Sequence, residues 1–296
     1  MKIDLQKHWG DSELYYVGEL CAKIVHSMQQ DGSAHLWTTE GKNPANNGFY
    51  TLLDELCVYW SWDKSAITID TTNIKTSHDK YNIVYTHFSI AGAHLNITEP
   101  VTRWNGEKYY GMFIGRANAS RIRAIHNHNN FKYKEFGLTS FHDDLFNYMN
   151  KSELVNYFFH SDQTYQEMIS IKPYSDIDVV MPPPIIFGES SINWSEVYKK
   201  IAIEVICETS TLPECMDMSE KTYRAIYHKR PFLLIGSPGQ MAYLRELGYK
   251  TFSDVIPEDY DYLSGIQRVD RVFDILSQLI ETKSIDTLLE RCYNTL

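Results

Sequence analysis

The sequence predicts an α/β protein built around a parallel sheet. From about Tyr109 onward, short apolar β-prone runs alternate with helix-like segments, which is the pattern of repeated β–loop–α units. Two of these runs, Ile201–Cys207 and Phe232–Ile235, are mostly apolar and of strand length, as expected for strands buried inside a sheet. Because parallel neighbours are joined by crossovers, we expect helices on both sides of the sheet.

Composition and charge narrow the class of protein. The 296 residues are 43% hydrophobic and 22% charged, so the chain can bury a large core, and its length fits about two domains. The net charge of −10 disfavours broad attraction to nucleic acid or anionic membranes. The five cysteines form no CxxC pair, which argues against a zinc ribbon or a disulfide scaffold. With no signal-peptide pattern and no apolar run of about 18 residues, we expect a cytoplasmic protein without a membrane span.

The first part of the chain carries the weaker pattern. Leu14–Met28 has the apolar spacing of a helix, and the polar stretch Gly41–Gly48 breaks that pattern. The run YTLLDELCVYW fits either a helix or a strand, whereas AITID and YNIVYTHFSIAG fit strands.

The second part predicts clearer elements. Tyr109–Ile114 is predicted as a strand, Gly115 as a turn, and Ala119–His128 as a helix with Asn118 or Ser120 as its N-cap. The later predictions, in chain order, are a helix or amphipathic segment at Ser152–Ser161, a loop at VVMPPPIIF, a helix from Ser219, a helix at Gln240–Leu247, an edge segment at Thr251–Phe252 and a C-terminal helix from Ser264 to Thr282.

Three polar segments fall where predicted strands end and helices begin. They are Gly115-Arg116, Glu208-Thr209-Ser210 and Ser219-Glu220-Lys221. Ligands of open parallel sheets bind beyond the carboxyl ends of the strands, and the N-terminus of a helix favours a phosphate. Arg116 and Lys221 would supply the positive charge that suits a diphosphate, and a neighbouring glutamate can accept hydrogen bonds from a ribose diol. The pattern therefore indicates a nucleoside-diphosphate site.

Simpler interpretations are open for the same residues. Ser219 and Glu220 are the residue types that cap and begin an ordinary helix. Arg116, Arg121 and Arg123 could form a solvent-exposed basic face. The cap and the ligand site are compatible, because one serine can serve both.

The segment SEKTYRAIYHKRPFLLIGSPGQMAYLRELGYKTFSDVIPEDYD resembles the nucleotide-sugar-binding half of GT-B glycosyltransferases. It is most similar to the fucosyltransferase-like and exostosin-like group, in which an (S/T)EK motif precedes a helix and an apolar strand that ends in glycine. The upstream segment YYGMFIGRANASRIRAI is similar to the one that supplies a phosphate-contacting arginine in that group. The resemblance covers roughly Tyr109 to Tyr262.

This resemblance implies a GT-B-like α/β fold, in which two Rossmann-like parallel-sheet domains face a cleft. We accordingly divide the chain into an acceptor-side domain (1–105), a donor-binding domain (106–282) and a C-terminal tail (283–296). By the resemblance, Glu220 at the helix start beside Ser219 would hold the donor ribose. Lys221 and Arg116 would hold the diphosphate, and Glu208 would lie near the donor sugar or its phosphate. The resemblance also implies transfer without a metal or another cofactor, the nucleotide-sugar being a substrate.

Glycosyl transfer in an inverting enzyme also needs a base that deprotonates the acceptor hydroxyl. In a GT-B arrangement that base usually comes from the first domain. The candidates there are His87, His94, Glu99 and Asp70, each of which could instead have a structural or merely exposed role.

The histidines of HNHNN, His126 and His128, follow a predicted helix. A positive charge near the C-terminus of that helix is a simpler interpretation of these residues than a metal site. HDD at 142–144 and DYDY at 259–262 do not form a convincing DXD motif.

We therefore expect a glycosyltransferase that moves a sugar from a nucleotide-sugar to an acceptor hydroxyl on a glycan, a protein, a small molecule or modified DNA. A DNA acceptor would require a local basic groove, for which the candidates are Arg103, Lys108, Arg116, Arg121 and Arg123. One alternative is a non-catalytic nucleotide-binding or assembly module of the same fold. Another is a different α/β transferase or a phosphatase that acts on a phosphate.

Overall fold

A computed structural model describes residues 2–4, 14–38, 49–71, 78–85, 103–115, 119–141, 174–177, 192–208, 211, 216 and 218–294. The chain divides into two compact units, the first comprising 1–91 with 214–217 and the second 92–213 with 218–296. Each unit has its own sheet, and parallel pairing dominates both sheets. The predicted α/β class is confirmed. No helix in these ranges is both long and apolar enough to cross a membrane.

Within its described residues, the first unit contains a four-stranded parallel sheet and two α-helices. Its elements are β1 (Lys2–Asp4), α1 (Leu14–Asp31), β2 (Ala34–Thr38), α2 (Phe49–Trp60), β3 (Ile67–Thr71) and β4 (Asn82–Tyr85). The strands lie in the order β1-β2-β3-β4. The ambiguous run YTLLDELCVYW forms a helix, because Phe49, Leu53 and Cys57 recur at helical spacing and all three are buried. AITID lies within β3, whereas only the first part of YNIVYTHFSIAG is a described strand.

The second unit contains the larger sheet. Its strands are β5 (Lys108–Ile114), β6 (Gly137–Phe141), β7 (Tyr174–Ser175), β8 (Ile201–Cys207) and β9 (Phe232–Ile235). Its helices are α3 (Ala119–Asn129), α4 (Trp194–Lys200), α5 (Glu220–Tyr227), α6 (Gln240–Glu246), α7 (Gly265–Thr282) and α8 (Ile285–Asn294). The strand order is β7-β6-β5-β8-β9, and β7 alone is antiparallel to its neighbour.

The strand order reverses between β5 and β8. The chain leaves β5 through α3 and returns at β6 on one side, whereas it leaves β8 through α5 and returns at β9 on the other side. In doubly wound sheets the crevice at such a reversal, beyond the carboxyl ends of the strands, is where ligands bind. The topology of the second unit therefore identifies this edge of the sheet as the candidate position for a ligand.

Side chains pack closely over Gly111 at the centre of this sheet. A Cβ atom on Gly111 would lie 2.6 Å from Ile201 Cδ1 and 2.8 Å from the Phe113 ring, so a larger residue would require these side chains to move. The register places Gly111 beside Glu204 and Lys108 beside Ile201, so the two central strands begin at the same level.

Several predicted elements are confirmed with the same or nearly the same bounds. The strands β8 and β9 begin and end at the predicted residues, and β5, α3, α5, α6 and α7 differ by at most a residue at either end. The long helix α7 buries an apolar face formed by Val269, Val272, Phe273, Leu276, Leu279 and Ile280.

Other expectations differ from the structure. Thr251–Phe252 is a loop and not an edge strand, because the Phe252 N–H donates to the Glu258 carboxylate (3.0 Å) and not to a neighbouring strand. The segment assigned to a tail forms α8, which buries Ile285, Leu288 and Cys292. The predictions for Gly41–Gly48, Ser152–Ser161 and VVMPPPIIF lie outside the described residues.

Candidate functional site

The head of α5 lies on the edge that the strand order marks. Ser219 has extended backbone and accepts a hydrogen bond from the Lys221 N–H at its Oγ (3.4 Å), so it is the N-cap of the helix. The Thr222 N–H donates to the Ser219 carbonyl (3.2 Å), which closes the first turn. The capping interpretation of Ser219 is confirmed.

Lys221 and Glu220 form a charged pair at this helix head. The Lys221 ammonium donates to Ser219 Oγ (3.1 Å) and to Glu220 Oε1 (2.9 Å). The Lys221 side chain is 16% exposed and the Glu220 side chain 61% exposed. A cation is thus held against the helix N-terminus, with a carboxylate beside it that reaches into solvent. Both charges are placed where a ligand at this edge could contact them.

Glu208 follows β8 directly and is almost completely buried (1% exposed). Its carboxylate accepts hydrogen bonds from the Ser219 N–H (3.1 Å to each oxygen) and from the Thr222 hydroxyl (2.5 Å). In this geometry Glu208 is an internal anion that holds the start of α5, where a negative charge is favourable. Its expected position near the donor sugar stays a prediction.

A second buried carboxylate on β8 holds the other half of α5. Glu204 accepts hydrogen bonds from the Tyr198 hydroxyl and from Arg224 Nη2 (3.3 Å), and Arg224 stacks 3.5 Å above the Trp194 ring. Burial raises the pKa of Glu204, although the Arg224 charge and the Tyr198 hydroxyl oppose that rise. Glu204 lies on β8 and Glu208 follows it directly, so this short segment contacts both halves of α5.

The interpretation of Arg121 as part of a solvent-exposed basic face is wrong, because its side chain is buried. Arg121 lies in the first turn of α3 and is 4% exposed. Its Nε and Nη2 donate to the carbonyl of Cys207, the last residue of β8, at 3.2 and 3.1 Å. The guanidinium therefore reaches across the reversal point from β5 to β8. Its position directly after the strand and glycine turn was the available signal.

Arg116 and the pair Thr209-Ser210 lie outside the described residues. Gly115 directly follows β5 and is exposed. Cys207 lies at the same edge, where burial raises the pKa of its thiol to about 12 despite the neighbouring Arg121 charge. The thiol is neutral near pH 7 and does not offer a nucleophile.

The glycine turn after β9 is closed by the protein itself. Gly239 adopts a left-handed conformation (φ 87°), and its N–H donates to the Asp261 carbonyl (2.9 Å). The Met241 and Ala242 N–H groups donate to the Asp261 carboxylate (3.1 and 3.0 Å). Asp261 therefore occupies the N-terminus of α6, as Glu208 and the Ser219 cap occupy that of α5.

The four described members of the expected basic groove do not share one surface. Arg123 donates to both oxygens of Asp270, and Arg103 lies over the Tyr293 ring. Lys108 is at the start of β5, level with Ile201, whereas Arg121 contacts the other end of β8. Six residues of strand separate those two levels by about 20 Å. The geometry gives no support to a DNA acceptor.

In the first unit, Asp70 is the described member of the predicted base candidates, since His87, His94 and Glu99 lie outside the described residues. Asp70 is near the end of β3 and is mostly buried, and its Oδ2 lies 2.9 Å from Nε2 of the partly exposed His35 on β2. A carboxylate in this position can orient an imidazole. His35 was not predicted as a site residue, and its only signal was its place in a short alternating run.

His128 is a buried structural residue and not a cation at a helix end. Its Nδ1 lies 2.7 Å from the Tyr110 hydroxyl and its Nε2 3.4 Å from Thr139 Oγ1. Burial lowers the pKa of His128, an effect that the Asp176 charge only partly offsets. Over the part of the chain that the structure describes, no three His, Cys, Asp or Glu side chains come together as a metal site.

Comparisons with protein-family models, curated proteins and solved structures find no match to this chain. The class of protein that the structure defines is therefore α/β, with two parallel-dominated sheets and a charged helix head at the reversal point of the second.

Proposed function

We propose that the chain is a glycosyltransferase of the GT-B type, which moves a sugar from a nucleotide-sugar donor to an acceptor hydroxyl. The proposal includes the two-domain GT-B arrangement and a donor site in the second unit. The acceptor class, whether a glycan, a protein, a small molecule or modified DNA, stays open.

The observation that carries the proposal is the place of Lys221. Its ammonium lies at the N-terminus of α5, on the edge where the strand order reverses between β5 and β8. That edge is the common ligand position of doubly wound sheets, and a cation at a helix N-terminus suits a phosphate group. Glu220 beside it can accept hydrogen bonds from two adjacent hydroxyls.

The resemblance of the SEK segment assigns these groups to a donor. In the proposal Glu220 holds the ribose and Lys221 the diphosphate, with Arg116 as a second phosphate contact. Glu208 holds the site in place, since its carboxylate accepts hydrogen bonds from the Ser219 N–H and the Thr222 hydroxyl. No metal is needed to neutralise the diphosphate if two cations bind it.

The transfer itself is a substitution at the anomeric carbon of the donor sugar. The acceptor oxygen forms a bond to that carbon, and the bond from the carbon to the diphosphate oxygen breaks. The acceptor proton passes to a base, and the nucleoside diphosphate leaves with the bonding electrons.

The alternative is a module that binds a nucleotide without turnover. It shares the donor site and lacks acceptor activation, so it would bind nucleotide and release no sugar with any acceptor. Measuring nucleoside-diphosphate release from bound nucleotide-sugars distinguishes the two.

Replacing Lys221 or Glu220 by alanine is expected to weaken nucleotide binding about tenfold to a hundredfold. The reason is that each substitution removes one charged hydrogen-bonding group, worth about 1.5–3 kcal/mol, from the ligand. Isothermal titration calorimetry with UDP, GDP, ADP and CMP measures the loss. The fold should be retained, since the Ser219 cap does not depend on either side chain's charge.

Lys250→Ala and Glu246→Ala are matched controls, because both residues are exposed and lie at or beyond the end of α6 in the same unit. Binding by these variants should equal that of the unmodified protein. Equal nucleotide affinities for all four variants would contradict the assignment of the head of α5 to the donor site.

A further inference from the structure

The C-terminal end of α2, in the first unit, presents three consecutive exposed apolar side chains. Val58 and Tyr59 are 76% and 79% exposed, and Trp60 is 41% exposed. The Tyr59 ring contacts the Trp60 ring edge-on (5.3 Å between centroids), and Trp60 stacks on Trp62 (5.8 Å), which packs against the core of the unit. Exposed apolar side chains gathered in one place are typical of a binding surface.

A groove of about 560 Å³ runs along the face of α2 that carries Val58 and Tyr59. The residues that line it come from α2 and from the short turn after it, and they include Thr51, Asp54, Glu55, Val58, Tyr59 and Lys64. Positions 51, 55 and 59 and positions 54 and 58 are four residues apart, so they form two neighbouring rows on one face of the helix. Thr51 and Tyr59 are about 12 Å apart along the helix axis. Small-ligand sites commonly have this size and combine apolar side chains with a few polar groups.

The charged groups of the groove balance one another. Asp54 Oδ1 accepts hydrogen bonds from the Lys64 ammonium (2.6 Å) and the Tyr81 hydroxyl (2.5 Å), and its Oδ2 lies 3.7 Å from Lys80 Nζ. The hydrogen bonds from Lys64 and Tyr81 lower the pKa of Asp54, so it is a carboxylate near pH 7. Together with Glu55, two carboxylates are matched by two ammonium groups. The groove therefore favours neither an anion nor a cation, while its polar groups can still donate and accept hydrogen bonds.

An exposed aromatic ring beside balanced donors and acceptors matches the chemistry of an uncharged sugar. A pyranose has a face of C–H groups, which suits the partly negative face of an aromatic ring, and a rim of hydroxyls that both donate and accept hydrogen bonds. The core of a protein–protein interface is, by contrast, depleted in Lys, Glu and Asp. Since Asp54, Glu55 and Lys64 all line this groove, its chemistry favours a sugar over a protein partner.

We propose that the groove along α2 binds an uncharged oligosaccharide. In this site the Tyr59 ring packs against the face of one sugar, and Asp54, Glu55 and Lys64 form hydrogen bonds with sugar hydroxyls. All of these residues belong to the first unit, so the inference goes beyond the donor site proposed above and does not depend on it. The groove binds its ligand whether or not the second unit binds a nucleotide.

The test is an array of neutral, anionic and cationic oligosaccharides probed with the whole chain, followed by calorimetry with the neutral oligosaccharide that gives the strongest signal. Tyr59→Ala should bind about fivefold more weakly or worse because it loses the ring, whereas Tyr59→Phe keeps the ring and should bind within about twofold of the unmodified protein. Tyr262→Ala is the matched control, since Tyr262 is also 79% exposed and lies in the second unit. Substitutions of such exposed side chains change stability little, so thermal unfolding of all three variants should match that of the unmodified protein.

Several results would overturn the inference. One is that no neutral oligosaccharide binds at millimolar concentration, and another is that charged oligosaccharides bind more tightly than neutral ones. Unchanged sugar binding by Tyr59→Ala, or an equal loss in Tyr262→Ala, would separate the binding from the groove. Sedimentation of the same variants tests the protein alternative, because self-association that Tyr59→Ala abolishes would assign this surface to an interface between copies of the chain. A lack of nucleotide binding would contradict the donor site alone and leave these measurements unaffected.

Discussion

Replacing Arg268 by methionine is expected to lower the free energy of unfolding of the second unit by about 3–5 kcal/mol. The Arg268 guanidinium is 1% exposed and lies 3.2 Å from Asp261 Oδ1, which is buried to the same extent. It also donates to the carbonyls of Leu234 (3.1 Å) and Asp261 (3.2 Å). Removing it leaves a buried carboxylate without its cation and two buried carbonyls without this donor.

The expected loss of stability is large because Asp261 also caps α6. Its carboxylate holds the Met241 and Ala242 N–H groups at the start of α6, so Arg268, β9 and α6 depend on one network. Burial lowers the pKa of Arg268, although the Asp261 and Tyr260 side chains oppose that change. The network offsets the desolvation of the cation only while all of its members are present.

Urea unfolding followed by circular dichroism measures the loss, and Arg271→Met is the matched control. Arg271 lies less than one turn further along α7 and pairs with Asp259, whose side chain is 58% exposed. Such a pair contributes about 0–1 kcal/mol. Similar losses in the two variants would contradict the importance of the buried network.

Replacing Glu208 by alanine is expected to lower the free energy of unfolding by about 1–3 kcal/mol and to weaken nucleotide binding at least tenfold. The substitution leaves the Ser219 N–H and the Thr222 hydroxyl without their shared acceptor at the start of α5. Because Lys221 and Glu220 are in that first turn, the displacement reaches the groups assigned to the ligand.

Glu208→Gln distinguishes support of the helix from contact with the donor. An amide oxygen can still accept from Ser219 and Thr222, so binding should stay within a few-fold of the unmodified protein if Glu208 only holds α5. If the carboxylate contacts the donor sugar, as the resemblance implies, the glutamine variant should lose binding as the alanine variant does. Calorimetry on both variants, with urea unfolding alongside, gives the answer.

The strands that were predicted best are both buried and mostly apolar in sequence. All seven residues of β8 and all four of β9 are buried, so their apolar character is visible without any knowledge of the partners. The strands β2 and β6 were not predicted as such. They contain five residues each, and polar residues such as His35 and Thr139 give them no continuous apolar run.

At the head of α5 the sequence predicts the local cap, whereas the contacts of Arg121 and Glu208 depend on residues distant in the chain. The cap at Ser219 is local and could be read from three consecutive residues. The burial of Arg121 depends on a carbonyl 86 residues away, and the capping role of Glu208 depends on a helix that begins twelve residues later. The local sequence does not show that a charged residue near a helix start is buried, because the strand that buries it is distant in the chain.

The most direct test of the central claim is a thermal-shift panel of the unmodified protein with UDP, GDP, ADP and CMP and with their sugars at millimolar concentration. A ligand present at a hundred times its dissociation constant stabilises the folded state by about 2.7 kcal/mol, so a true donor gives a visible shift. We expect at least one nucleoside diphosphate and its sugar to raise the melting temperature. No shift with any of these compounds would contradict the nucleotide-sugar site.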